Sequence, residues 1–147
     1  MLALAWNDEL QSADLRVENG LVEDDTLATS IIISLFTDAR ARPSDILPNG
    51  DTDRRGWVGD ALSETEGDRI GSRLWLLRRA KETEETRRRA EGYAREALTW
   101  IVETGMARGI DVLASWQTRG WLQLHIDVTR PSGDVENYLV KLQVGGV

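Results

Sequence analysis

The stretch Ile110 to Val128, IDVLASWQTRGWLQLHIDV, decides the fold. Ile110, Val112, Ala114 and Trp116 alternate with Asp111, Leu113, Ser115 and Gln117, and after Thr118-Arg119-Gly120 the alternation resumes from Trp121 to Val128. Successive side chains of a strand point to opposite faces, so this period of two predicts two half-buried strands joined by a short turn. Pro131-Ser132-Gly133-Asp134 supplies a second turn, and Tyr138, Val140, Leu142 and Val144 are again spaced by two. The last third is therefore expected to form a three-stranded antiparallel meander.

Immediately upstream the period changes to that of a helix. Ala90, Tyr93, Ala94, Ala97, Leu98, Ile101 and Val102 form one apolar stripe, with Thr83 to cap its start and Gly105 to end it. Glu84 with Arg88, Glu85 with Arg89, and Glu91 with Arg95 are acid-before-base pairs four residues apart, so the arginine-rich surface is locally neutralised. Before this helix, Leu74-Trp75-Leu76-Leu77 is too short an apolar run to decide between a helical turn capped by Ser72 and a short buried strand.

At the other end of the chain, Asp14 to Val17 and Leu21-Val22 flank Glu18-Asn19-Gly20, a hairpin turn signal, with a further strand expected at Leu2 to Trp6. Asp24, Asp25 and Thr26 offer capping groups to a helix whose apolar positions are Leu27, Ile31, Ile32, Leu35 and Phe36. That helix is expected to reach about Arg40, with Pro43 as its stop. The sum is an α+β protein: a mainly antiparallel sheet, from an N-terminal hairpin and a C-terminal meander, with two or three helices on one face and one domain spanning 1–147.

Between Pro43 and Gly71 no sustained period appears, and Gly50, Gly56, Gly59 and Gly67 punctuate the stretch. Loops this long are uncommon in compact domains, and Leu47, Trp57, Val58, Leu62 and Ile70 favour an ordered loop pinned to the body. At its centre lies Asp51-Thr52-Asp53-Arg54-Arg55-Gly56-Trp57-Val58-Gly59-Asp60. Asp51, Asp53 and Gly56 match the first, third and sixth positions of a calcium loop, but Arg55 and Leu62 stand where the pattern needs oxygen ligands. A metal-dependent hydrolase built on Asp51, Asp53 and Asp60 is the enzymatic alternative. The loop reads more simply as a clasp, with Arg54, Arg55, Gly56, Trp57 and Asp60 holding its shape or facing a neighbouring subunit.

Composition removes other classes. The 147 residues contain no cysteine, which excludes disulfides, a thiolate nucleophile and cysteine-zinc sites and makes the cytoplasm the expected place of folding. No apolar run approaches the ~18 residues of a membrane span, and the opening MLALAW is too short for a signal peptide. A net charge of −7 disfavours nucleic acid as a partner. His125, the single histidine, shares a strand face with Gln123 and Asp127, as on a solvated sheet surface, and no phosphate-binding glycine motif is present. Six tryptophans against one phenylalanine fit either a packed core or a partner surface.

Asp53-Arg54-Arg55-Gly56-Trp57-Val58-Gly59-Asp60, followed by Gly71-Ser72-Arg73-Leu74-Trp75-Leu76-Leu77, resembles the pattern of the Mu-like phage tail proteins named after gene product forty-six. Val58 departs from it, since a second tryptophan is expected there. The resemblance covers most of the chain and implies a non-enzymatic structural protein of a contractile tail, similar to the small baseplate wedge proteins. Its implied partners are other wedge proteins and tail sheath or tube subunits, with no cofactor, nucleic acid or membrane. Its implied location is the virion tail baseplate, assembled in the host cytoplasm, or the bacterial cytoplasm for a prophage. The residues add one point: the last strand, with Tyr138, Val140, Leu142 and Val144, is a sheet edge that could take a strand from another chain. The alternative is an edge covered within the same chain.

Overall fold

The computed structural model describes residues 4–7, 12–15, 27–48, 52–56 and 71–144. Strands β3 (Gly109–Trp116), β4 (Trp121–Thr129) and β5 (Val135–Gln143) form the antiparallel meander in that order. Both turns use glycine where the chain needs a left-handed backbone. Gly120 has φ 84° and Gly133 φ 96°, and the Gly133 amide donates to the Arg130 carbonyl at 2.9 Å. The alternation sorts the faces as expected. Val112, Ala114, Leu122, Leu124, Ile126, Val128 and Val140 are buried, while Asp111, Leu113, His125, Leu139 and Lys141 are exposed.

Helix α2 (Glu84–Glu103) packs against β3, and its buried stripe shares one core with the inner face of the sheet. Its start is the expected threonine cap, with Thr83 Oγ1 accepting the Thr86 amide at 3.2 Å. Its end is a Schellman motif: Met106 N donates to Ile101 O, Gly105 N donates to Val102 O, and Gly105 takes φ 79°. Six of the seven stripe residues are buried, whereas Val102 is exposed because it stands at the edge of the stripe, about 100° round the helix from the buried Ile101. Helix α1 (Ala28–Phe36) packs beside α2 and β1 (Leu4–Asn7), which pairs antiparallel with β2 (Ser12–Leu15).

The strand expected at Leu2 to Trp6 is observed as β1 and pairs with β2, which includes Asp14; the turn Glu18-Asn19-Gly20, the second strand Leu21-Val22 and the capping residues Asp24, Asp25 and Thr26 lie outside the described residues. Other expectations need correction. Helix α1 stops at Phe36, short of Arg40. The reason is tertiary: Thr37 turns extended, its carbonyl accepts the Ser72 amide, and the Ala39 amide donates to Ser72 O, each at 2.9 Å. Residues that would have continued the helix instead form a parallel bridge, Asp38 to Ser72. Its buried face is also rotated from the pure apolar stripe, with Ser30 and Ser34 buried beside Ile31 and Leu35, and Ile32 and Phe36 half-buried. Leu74–Leu77 is a fully buried 3-10 turn, entered through Ser72, whose hydroxyl accepts the Leu74 amide and donates to Leu35 O.

Candidate functional site: an arginine clasp and a second arginine network

Residues 52–56 lie along the segment that follows α1. The Ala41 amide donates to Arg54 O at 2.8 Å, and Arg54 Nη1 returns a bond to the Arg42 carbonyl at 2.5 Å, with Nη2 reaching Pro43 O at 3.4 Å. Asp53 forms a local turn, its Oδ1 accepting the Arg55 amide at 2.9 Å. This fixes Arg55 at φ 58°, a left-handed conformation uncommon for a residue with a side chain. The geometry aims the Arg55 guanidinium inward, where Nη1 meets Asp38 Oδ2 at 2.5 Å and the group lies 4.5 Å from the Trp75 ring centroid. Gly56 follows at φ 111°, and a Cβ there would stand 3.1 Å from Arg40 Cβ.

Arg54, Arg55 and Gly56 are thus brought against the body of the protein. Trp57 and Asp60, the other members of the expected clasp, lie outside the described residues, as do Asp51 and Val58. The aromatic and acidic groups that Arg55 meets, Trp75 and Asp38, come from elsewhere in the chain. Trp75 is itself oriented by its Nε1, which donates to Ala39 O at 2.8 Å. Indole donors tie other elements too: Trp100 Nε1 reaches Ser34 Oγ at 2.8 Å, linking α2 to α1, and Trp116 Nε1 reaches Thr83 O at 3.3 Å.

A second network, not expected from the sequence, is centred on Arg73. Its Nη1 bonds both Asp45 oxygens, at 3.0 and 3.1 Å, its Nε donates to Glu96 Oε2 at 3.0 Å, and its guanidinium lies 4.5 Å from the Tyr93 ring centroid. Arg42 closes the loop, its amide donating to Asp45 Oδ2 at 2.7 Å and its side chain pairing with Glu96. Burial pushes the Asp45 carboxyl up, but the Arg42 amide and the Arg73 guanidinium outweigh it and hold the group below its usual value. Burial likewise works against the Arg73 charge, and its bonds to Glu96 and Asp45 more than restore it. Nothing in the spacing of Arg42, Asp45, Arg73 and Glu96 signals this meeting; the presence of Arg73 in the motif Gly71 to Leu77 is the one pointer.

A third cluster lies where α2 crosses β3. Glu91, 8% exposed, accepts the Ala114 amide at 3.3 Å and pairs with Arg87, while Arg87 Nη1 donates to Ala114 O at 3.1 Å and Arg95 Nη2 to Val112 O at 2.8 Å. Of the expected helix pairs, Glu84 with Arg88 (3.5 Å) and Glu91 with Arg95 (3.8 Å) form, whereas Arg89 turns to Tyr93, donating to its hydroxyl at 3.0 Å. Tyrosine competes with Glu85 because its ring offers both a cation-π face and an acceptor within one helical turn.

Chemically, these clusters hold segments together. Among the described residues no three carboxylate or imidazole groups gather as a metal site would require. Asp53 and Asp45 are engaged by amide and guanidinium donors, and His125 stands on the exposed sheet face with Leu113 and Leu139 as its cross-strand neighbours.

A small α+β sheet-and-helix protein, braced by arginine networks and carrying a paired arginine-tryptophan motif, is the class defined by this geometry. The chain belongs to the family described as Phage protein GP46, which it matches over residues 27–135. It is 49% identical over 127 residues to the baseplate protein gp46 of Escherichia phage Mu, covering 86% of each chain. It is 40% identical over 135 residues to the Mu-like prophage FluMu protein gp46 of Haemophilus influenzae, covering 92% of this chain and 90% of that one.

Proposed function

We propose that the protein is a structural component of the baseplate of a contractile phage tail and acts through protein-protein contacts. The observation that carries this reading is the 49% identity, over most of both chains, to a protein named for the Mu baseplate. The three arginine clusters are consistent with it, since they tie the segment after α1, residues 52–56 of the long loop, α2 and β3 to one another, as suits a building block. No observation favours the acidic-loop hydrolase: Asp53 serves the turn of the clasp, and Arg55 occupies the position of a ligand.

Within the baseplate we assign the chain to the wedge, as one domain over 1–147, with other wedge proteins and sheath or tube subunits as its neighbours. The two sheet edges differ in a way that supports β5 as the docking edge. On β3, side chains of Arg87, Glu91 and Arg95 already bond the outward backbone groups of Val112 and Ala114. On β5, Val140 is buried and Tyr138 and Leu142 half-buried, with Val144 buried just beyond it, so the strand is anchored to the core by one face while standing last in the sheet among the described residues. The clasp of Arg54, Arg55, Gly56, Trp57 and Asp60 would set the shape of a loop presented to a neighbouring subunit.

A phage or prophage deleted for this gene should produce no complete contractile tails by electron microscopy, with rescue by the gene in trans. Normal tails in the deletion strain would refute the structural assignment.

A further inference from the structure

The outer face of the meander, turned away from α2, is not the uniformly polar surface expected of a sheet whose other face is the core. Leu113 is 65% exposed, Leu139 58% and Val135 57%. The register places these residues together. Leu113, His125 and Leu139 form one cross-strand row, the adjacent row is Asp111, Asp127 and Asn137, and Val135 lies in the row beyond, opposite Thr129. Asp111 and Asp127 are therefore direct neighbours across β3 and β4, a like-charge pair that works against the sheet. Neither carries an ion pair among the described residues. Lys141 lies farther along, in the row of Ser115 and Gln123.

Two costs thus coincide on one patch: exposed leucines and facing carboxylates. One kind of group relieves both, a long cationic side chain whose methylenes lie on Leu113 and Leu139 and whose head meets Asp111 and Asp127. Arginine suits this best, because its guanidinium is weakly hydrated and spans two carboxylates. We propose that the outer face of the β3-β4-β5 sheet binds an arginine- or lysine-bearing apolar segment of another tail protein, with Leu113 and Leu139 as the apolar contact and Asp111 and Asp127 as the charge contact. This surface is separate from the β5 edge, and it rests on the reading that the chain works within a baseplate.

The test uses assembled particles with the photo-reactive residue p-benzoylphenylalanine placed at Leu113, followed by mass spectrometry of the cross-linked peptide. The expected product joins this face to a segment of a different tail protein containing arginine or lysine among apolar residues. In the double variant Asp111→Asn and Asp127→Asn the yield should fall about tenfold, the loss of one good charge contact. The purified double variant should melt no lower than the parent, because the repulsion is removed. A cross-link to an acidic segment, a cross-link only to a second copy of this chain, or no cross-link in tails that contain the chain would overturn the inference alone. Absence of the chain from purified tails would overturn the baseplate reading and this inference with it.

Discussion

Glu91, on the long helix, accepts the backbone amide of Ala114 on the edge strand β3 at 3.3 Å, and so does for that amide what a fourth strand would do. The same carboxylate pairs with Arg87, which donates to the Ala114 carbonyl, so amide and carbonyl of one residue are bound by two side chains one helical turn apart. Replacing Glu91 by alanine leaves a buried amide unsatisfied and an arginine without its closer partner. The Glu91→Ala chain should lose about 2 to 4 kcal/mol of stability, read from the urea midpoint. It should also gain a tendency to self-associate through the uncovered edge, seen by sedimentation. An unchanged midpoint would show that the bonds to Ala114 contribute nothing net.

Arg73 is the corresponding keystone of the loop. Its side chain and that of Asp45 are only 13% and 12% exposed, so the pair is held in a low-dielectric setting, unlike a surface ion pair. Lysine keeps the charge but loses the two-pronged contact and the planar stacking on Tyr93. Arg73→Lys should therefore cost about 1 to 2 kcal/mol and Arg73→Ala about 3. The diagnostic readout is local: hydrogen exchange at the Arg42 amide, bound to Asp45, should accelerate in Arg73→Lys more than exchange in the sheet. Uniform acceleration would mean the pair has only a global effect.

Asp45 also makes stability depend on pH in a definite direction. Its folded carboxyl titrates below its usual 3.8, so the unfolded chain takes up the proton first as the solution is acidified. The stabilisation is complete above the unfolded value and disappears as pH falls through the lower folded value. The parent should therefore lose stability more steeply than Asp45→Asn as pH falls below about 4.5, with the two curves running parallel near neutrality. Matching acid limbs would assign the acid sensitivity to other carboxylates.

The parts of this fold that were legible in the sequence are those governed by local periodicity. The alternation from Ile110 to Val128 and the stripe from Ala90 to Ile101 became strands and a helix with the buried faces expected, because each element turns one face to the common core and the other to solvent. The end of α1 was not legible, since Thr37 and Asp38 leave the helix to bond a segment more than thirty residues away. In the paired motif, Arg54, Arg55, Gly56 and Trp75 stand out in the sequence, but neither the meeting of Arg55 with Trp75 nor the role of Asp38 was legible, because both arise from tertiary packing. Leu74-Trp75-Leu76-Leu77 stayed ambiguous for a related reason: a 3-10 turn buried on every side has no polar face to reveal its period.

Two glycines separate backbone necessity from mere permission. Gly71 begins the segment that bonds Thr37 and Ala39, with φ 103°, and a Cβ there would fall 2.4 Å from Thr37 O and 3.0 Å from Ala39 N. Both obstacles are backbone and cannot swing aside, so Gly71→Ala must separate the Asp38 to Ser72 bridge that ends α1. Gly92 lies exposed in the interior of α2, where an added Cβ would meet nothing within 4 Å, and its φ is helical in kind. Gly92→Ala should therefore raise stability by about 0.5 to 1 kcal/mol through the lost freedom of the unfolded chain, whereas Gly71→Ala should cost about 3 kcal/mol or more. Thermal melts of the two variants, run beside the parent, provide the check. A neutral Gly71→Ala would show that the close approach of this segment to α1 is not required for folding.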